Sequence, residues 1–526
     1  MTIVTLAELF DQNQPIVEQR HLPVRRDLRR WIDRAIITGL LLVVGAVTGW
    51  GLRLFPALNG DEGIYTEQAR AVLHGALSPY TYTYDHPFLG WVQLSALAEL
   101  AQQLHLGGSL SIVNTRFVMV AIQLVNTVLV YGIARRLDMR RVFAVAAVLL
   151  FALSPLTVDL TRQVYLDNIA MPWVLTAFFL MLNRGRNQWV FGAAGAAFAV
   201  GVLSKETVLL FAPALAYLLY QRTERHLRVM AGTVTAAIFT FTLFIYPLFA
   251  LLRGELLPGA GHVSLWTNGI VYQLANRSGS GAVWIAGSAK QQLLQGWLFF
   301  DRVLIIGGLV AMVLTLFARS LRWVGVALLL AILPIVKPGG YLPAMYVVCM
   351  LPFAALAIAG SADRLCTVVW RSKRPWLRRA LVLTLLPAIL AGTGLAGEAY
   401  ATGTHRVNGV DALAVGMATR DYLVSHVTTA DNVLTDDAFI VDLNRHGLVD
   451  PWLQVVSYYK YDLDPTARKK LPNDWRDFTY IVYTPQMRAD IKSSGLPFTA
   501  TAVDHSLPIV TFGDGAARIE IRKVLK

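Results

Sequence analysis

The sequence predicts a polytopic α-helical membrane protein of about eleven transmembrane helices, with interfacial helices in its first outer loop and a C-terminal extracytoplasmic α/β domain. Three observations predict it. Of 526 residues, 55% are hydrophobic and only 15% charged, with a mean hydropathy of +0.50, well outside the composition of a water-soluble globular chain. Apolar runs long enough to cross a bilayer recur along residues 35 to 397. The basic residues gather in every second loop, the pattern expected when Lys and Arg stay on the cytoplasmic side.

The first run, 35–52, follows a basic tail (residues 1–34) and is closed by no small-residue cleavage site, so it reads as an anchor and not as a signal peptide. Further spans are expected near 112–133, 142–158, 169–183, 189–203, 207–221, 229–251, 298–317, 324–336, 341–360 and 380–397. With the N-terminus inside, RRLDMRR, NRGR, QRTERHLR, ARSLR and DRLCTVVWRSKRPWLRR all fall on the cytoplasmic side. Residues 398–526 hold 14 basic and 16 acidic residues, so the +13 excess belongs to the membrane part. That charge implies orientation and contact with anionic lipid, not a nucleic-acid partner, which would need it on a soluble domain. The two cysteines, Cys349 and Cys366, support no disulfide framework.

Parity assigns the first outer loop. Between an outward-facing Asp61 and cytoplasmic RRLDMRR the chain must cross an odd number of times, yet apolar segments lie at both 88–104 and 112–133. The first carries Gln93, Glu99, Gln102 and Gln103 and is therefore expected to lie among headgroups as an interfacial helix. After the last span, NVLTDDAF, FTYIVYTP and PIVTFGDGAARIEIRKV read as strands and DALAVGMATRDYLVSH as a helix, an α/β domain over 398–526. No internal repeat is evident, which counts against a secondary transporter.

The candidate chemistry lies on the outer side. LNGDEGIYTEQARAVLHG, residues 58–75, sets Asp61 and Glu62 at the start of an amphipathic helix just past the first span. A plainer reading is that Asn59 or Asp61 caps this helix and Glu62 complements its dipole. TYTYDHPFLGW adds Asp85 and His86 behind an aromatic belt. Arg116, then Arg162 and Asp167 in DLTRQVYLDN, Lys205 in LSKET, and Lys337 and Tyr341 in KPGGY complete an outward-facing set of acids and bases. Ionisable groups at membrane depth are costly unless they line a wet cavity or pair internally. Gathered on one face, they suit a lipid-anchored anionic substrate: a sugar on a polyprenyl phosphate, whose leaving group needs cations and whose acceptor hydroxyl needs a carboxylate to take its proton.

In order and spacing, residues 30–397 resemble the GT-C glycosyltransferases of the protein O-mannosyltransferase type, to which lipid A aminoarabinose transferases are related. The resemblance is carried by the Asp61–Glu62 pair, by His86–Pro87 before an interfacial helix, by YLDN, by the Ser204–Lys205 turn and by Tyr-Leu-Pro from Tyr341. It implies Asp61 as general base with Glu62 as its polar neighbour, Arg116, Lys205 and Tyr341 near the donor phosphate, and His86 and Asp167 in the cavity lining. Two departures stand out: Phe88 where the family often has a second proline, and Gly340 where an Arg commonly precedes the tyrosine.

The expected function is inverting transfer of an arabinose- or mannose-type sugar from a polyprenyl-phosphate donor to a glycan, lipid or protein hydroxyl outside the cytoplasmic membrane. The competing readings are a transporter or flippase of a lipid-linked sugar and, more remotely, a non-catalytic scaffold of the cell envelope. No cofactor is implied; no His/Cys ligand cluster occurs, and the outer carboxylates leave a divalent ion open.

Overall fold

The computed structural model describes residues 23–183, 187–371, 394, 396–406, 408–448 and 454–525. Four of its helices are long and apolar enough to cross a membrane: Arg30–Gly49, Ser111–Arg136, Arg225–Leu252 and Ala344–Arg371. Two bent pairs, Arg141–Ala152 with Pro155–Arg162 and Ala289–Phe300 with Arg302–Phe317, raise the number to six. Leu166–Met181, Gln188–Ser204 and Arg322–Val336 are shorter apolar helices. The expected run at 207–221 is divided into a 3-10 turn, Glu206–Phe211, and a helix, Ala212–Arg222. The run expected at 380–397 lies almost wholly outside the described residues.

Residues 88–104 form the helix Leu89–Gln103. It packs on the helix Gly60–Leu73 and on the start of Ser111–Arg136, and its polar residues tie these together: Gln102 Nε2 donates to the Ser111 carbonyl and Asn114 Nδ2 donates to Gln102 Oε1. The bundle interior is built from small residues that admit close helix approach and from aromatic wedges such as Phe178, stacked on Trp323 with ring centroids 4.9 Å apart.

Beyond residue 408 the chain builds a five-stranded sheet of order β2-β1-β3-β5-β4, where β1 is Val433–Thr435, β2 Val455–Ser457, β3 Tyr480–Tyr483, β4 Ser506–Phe512 and β5 Ile519–Val524. The pairs β1/β2 and β1/β3 are parallel; β3/β5 and β4/β5 are antiparallel. Alternation sorts the side chains onto two buried faces, with Val433, Val455 and Val482 packing with Tyr80 and with Ile112 at the start of the helix Ser111–Arg136, and Leu434, Val456 and Ile481 packing with Tyr458 and Phe478. In NVLTDDAF only Val433–Thr435 is strand: Asp436 caps the helix Asp437–Arg445 by accepting the Ala438 N–H, so the acidic half turns helical. β2 has no counterpart among the expected strands.

Candidate active site

Asn59, not Asp61, caps the helix Gly60–Leu73. Its Oδ1 accepts the Glu62 N–H at 3.1 Å, and its Nδ2 donates to Gln163 Oε1 at 2.6 Å and to Tyr165 OH at 3.1 Å. The cap thereby frees Asp61, which is exposed and lines a cavity of ≈ 250 Å³; among the described residues no hydrogen bond engages its carboxylate. Glu62, one residue on, is fully buried. It accepts from Arg116 Nε at 2.8 Å and Nη2 at 2.5 Å, and from the Val164 N–H at 3.0 Å.

Lys205, Arg277 and Tyr341 line the same cavity as Asp61, with His86, Glu206 and Gln273 also in its wall. Lys205 follows the last residue of Gln188–Ser204 in extended conformation, so the break of that helix turns its side chain into the cavity. Lys205 Nζ lies 3.1 Å from His86 Nε2, and His86 Nδ1 lies 3.1 Å from both Glu206 oxygens. The Nδ1–H tautomer satisfies both contacts, donating to Glu206 and accepting from Lys205. Tyr82 holds the His86 backbone by donating its hydroxyl to the carbonyl at 2.6 Å.

Of the residues expected at the site, Asp61, His86, Lys205 and Tyr341 line one cavity. The others take different positions, each for a physical reason. Arg116 is fully buried, and besides Glu62 it donates to the carbonyls of Pro56 (2.7 Å) and Ala57 (3.0 Å); it is held in a scaffold and does not line the cavity. Glu62 is its counter-ion and not an open neighbour of Asp61. Arg162 donates to the carbonyls of Val47, Thr48 and Trp50, satisfying the acceptors left at the end of the first long helix. Asp167 is 1% exposed and lies behind the wall, within electrostatic reach of Lys205, Glu206 and His86. Asp85 contributes its backbone carbonyl, which accepts from Gln273 Nε2 at 2.9 Å, and its side chain is not in the lining. Lys337 is exposed away from the cavity.

Arg277 was not foreseen. Its guanidinium lies 3.6 Å from the centroid of the Tyr341 ring, and its Nη1 donates to Gln273 Oε1 at 2.7 Å. It supplies from the 265–277 segment the cation that Gly340 does not, and 64 positions of chain separate it from the tyrosine. No local pattern could have linked them. Lys290, 1% exposed, supports the same wall by donating to the carbonyls of Pro334, Lys337 and Gly339, which holds the KPGGY turn in place.

Behind Pro334 and Tyr346 lies a second, apolar cavity of ≈ 170 Å³, lined by residues such as Trp297, Ile335, Val347 and Met350. From the other side, the C-terminal region presses against the acid-bearing helix. A Cβ at Gly63 would meet the Asp437 carbonyl oxygen at 1.9 Å, so only glycine permits this approach.

With this geometry described, comparison with known proteins gives the class. Residues 85–249 match the family model of dolichyl-phosphate-mannose-protein mannosyltransferases. No curated protein sequence matches the chain. Among solved structures, ArnT from Cupriavidus metallidurans in the apo state is similar at a TM-score of 0.56 and 15% identity, over 95% of this chain and 98% of that one. The same protein bound to undecaprenyl phosphate gives 0.55 and 15% over 94% and 98%. The Archaeoglobus fulgidus oligosaccharyltransferase AglB, in complex with an inhibitory peptide and a dolichol-phosphate, gives 0.52 and 11% over 94% and 74%. Over residues 85–249 the chain is thus similar to membrane-embedded mannosyltransferases that use a lipid-phosphate sugar, and over almost its whole length its fold is the one seen in ArnT. Both likenesses are to transferases and neither is to a transporter.

Proposed function

We propose that the chain is an inverting transferase that moves an arabinose- or mannose-type sugar from a polyprenyl phosphate to the hydroxyl of a glycan, lipid or protein acceptor on the outer face of the cytoplasmic membrane. One observation carries the reading: a carboxylate with no hydrogen bond among the described residues, Asp61, shares the lining of one water-accessible cavity with two cations, Lys205 and Arg277, beside an apolar cavity. The anionic lipids bound by ArnT and AglB, undecaprenyl phosphate and dolichol-phosphate, support the same class of donor here.

The acceptor oxygen approaches the anomeric carbon from the face opposite the phosphate. As the new C–O bond forms, the old bond to the phosphate oxygen breaks and polyprenyl phosphate departs. Asp61 takes the acceptor proton. Lys205 and Arg277 meet the charge that collects on the phosphate, and Tyr341, held by Arg277, lies against the same group. His86 and Glu206 keep the Lys205 ammonium oriented. The prenyl chain leaves along the apolar cavity beside Trp297 and Met350. The basic loops orient the N-terminus to the cytoplasm and the sheet-bearing domain of residues 398–526 outward, where it presents the acceptor to Asp61.

Asp61→Asn is expected to lower kcat by about 10²–10⁴-fold while leaving donor affinity unchanged. Single-turnover transfer and donor binding measured side by side test this. Equal turnover of both proteins would remove Asp61 as the base.

A further inference from the structure

A third cavity, of ≈ 470 Å³, lies between helix ends that no step of transfer uses. Its lining includes Tyr217, Tyr220, Arg228, Phe317, Arg319 and Arg322. Two helices fix its level in the membrane. The turn Glu206–Phe211 contributes to the catalytic cavity and leads into Ala212–Arg222, whose last turns reach the third cavity. Arg322–Val336 runs the opposite way, from Arg322 in the third cavity to Pro334 in the catalytic one. At 1.5 Å per residue these twelve residues span about 18 Å, so the two cavities lie at opposite ends of these helices.

The cavity is built for an anion. Its lining contains three arginines and no carboxylate, and among the described residues none of the three forms a salt bridge. Arg228 is posed rather than free: its Nε donates to the Thr223 carbonyl and its guanidinium lies 4.0 Å from the Tyr220 ring centroid. Arg322 donates Nε to the Leu316 carbonyl at 2.7 Å and sets Nη1 3.5 Å from the Tyr217 hydroxyl, leaving its other N–H groups for a ligand. Arg322 also opens the helix Arg322–Val336, whose N-terminus has no side-chain cap, whereas Arg228 continues the helical run that begins at Arg225. One positive helix end therefore shares the cavity with three guanidinium groups.

The rim identifies the source of the anion. Tyr220 is 58% exposed and Phe317 51%, both near the ends of apolar helices. A soluble phosphate has no use for them, whereas the glycerol and acyl carbons of a membrane lipid would lie against both. We propose that this cavity binds the phosphodiester headgroup of an anionic phospholipid at the membrane face opposite the active site.

The test is a titration of the purified full-length protein in neutral detergent with dioleoylphosphatidylglycerol, dioleoylphosphatidylcholine or inorganic phosphate, read as bound lipid by native mass spectrometry and as the thermal midpoint. Phosphatidylglycerol is expected to bind and raise the midpoint, and the other two are not. Arg319→Gln, a change at an exposed residue, is expected to weaken phosphatidylglycerol roughly fivefold, and Arg228→Gln with Arg319→Gln roughly thirtyfold. Arg225→Gln removes an exposed charge on the same face outside the cavity and is expected to change affinity less than twofold. Equal losses in the Arg225 and Arg319 variants would reduce the effect to general surface charge and overturn the site. A midpoint shift with inorganic phosphate equal to that with phosphatidylglycerol would overturn the lipid as its ligand.

Discussion

Asp61 and Glu62 are adjacent acids with opposite fates, and helix geometry is the reason: successive residues point about 100° apart, so one faces the cavity and the other the interior. The burial of Glu62 is tolerable only because Arg116 neutralises it and both are fully hydrogen-bonded. Arg116→Met is therefore expected to destabilise the protein by about 3–5 kcal/mol, whereas Glu62→Met combined with Arg116→Met recovers much of that loss. Thermal midpoints of the two single variants and the double variant check this; a double variant as unstable as the sum of the singles would contradict it. Both residues are visible in the sequence as polar outliers beside apolar runs. Their pairing, 54 positions apart, is not, because a charge pattern carries no information on which distant partner the fold delivers.

At the level of elements, the seating of the helix Asp437–Arg445 across Gly60–Leu73 governs the site. Near Asp61 the contact is backbone on backbone at Gly63; farther along, Asn444 Nδ2 donates to Glu67 Oε1 at 2.9 Å and Arg445 pairs with Glu99 at 2.5 Å. Gly63→Ala is expected to cost about 1–3 kcal/mol and to open the helix pair, read as faster proteolysis within residues 398–526. Gly75→Ala, at a positive φ of 80° with nothing within 4 Å, supplies the comparison, since it carries backbone strain without a clash. If both variants are cleaved at the same rate, the close approach at Gly63 does not hold the domain. Periodicity predicts the helix after Asp61 and the strands near 433, 480, 508 and 519. It is silent on which faces meet, because an amphipathic stripe states that a face is buried and not against what.

For the whole molecule, the sheet-bearing domain is held to the segment between the first two long helices, and to the start of the second, by polar groups that water would otherwise satisfy. Tyr80 donates its hydroxyl to the Val455 carbonyl and accepts the Ser457 N–H, and Asp442 accepts the Ser111 N–H at 3.0 Å. Asp437 lies at this seam, and burial, reinforced by neighbouring Asp436, pushes its carboxyl up to about 7. A raised carboxyl binds its proton more tightly in the docked protein than in the unfolded chain, so stability falls as pH rises from about 4 to about 7 and is flat above. Burial raises Glu67, Asp436 and Asp442 in the same direction. Asp437→Asn is expected to raise the thermal midpoint at pH 8 and to leave a shallower decline between pH 5 and 7. Parallel curves for the two proteins would show that Asp437 does not titrate in this window.

Composition and apolar periodicity determined by themselves that this chain is built of apolar helices suited to a membrane and which polar residues stand out among them, because transfer of each residue from water to hydrocarbon is decided locally. Tertiary structure alone decided which of those residues share a cavity. It drew Arg116 and Arg162 into the scaffold, left Asp61 uncapped, and brought Arg277 onto the face of Tyr341. The physical reason is that a side chain's work depends on which donors and acceptors the packed helices leave it, and that is settled only once residues far apart in the chain have met.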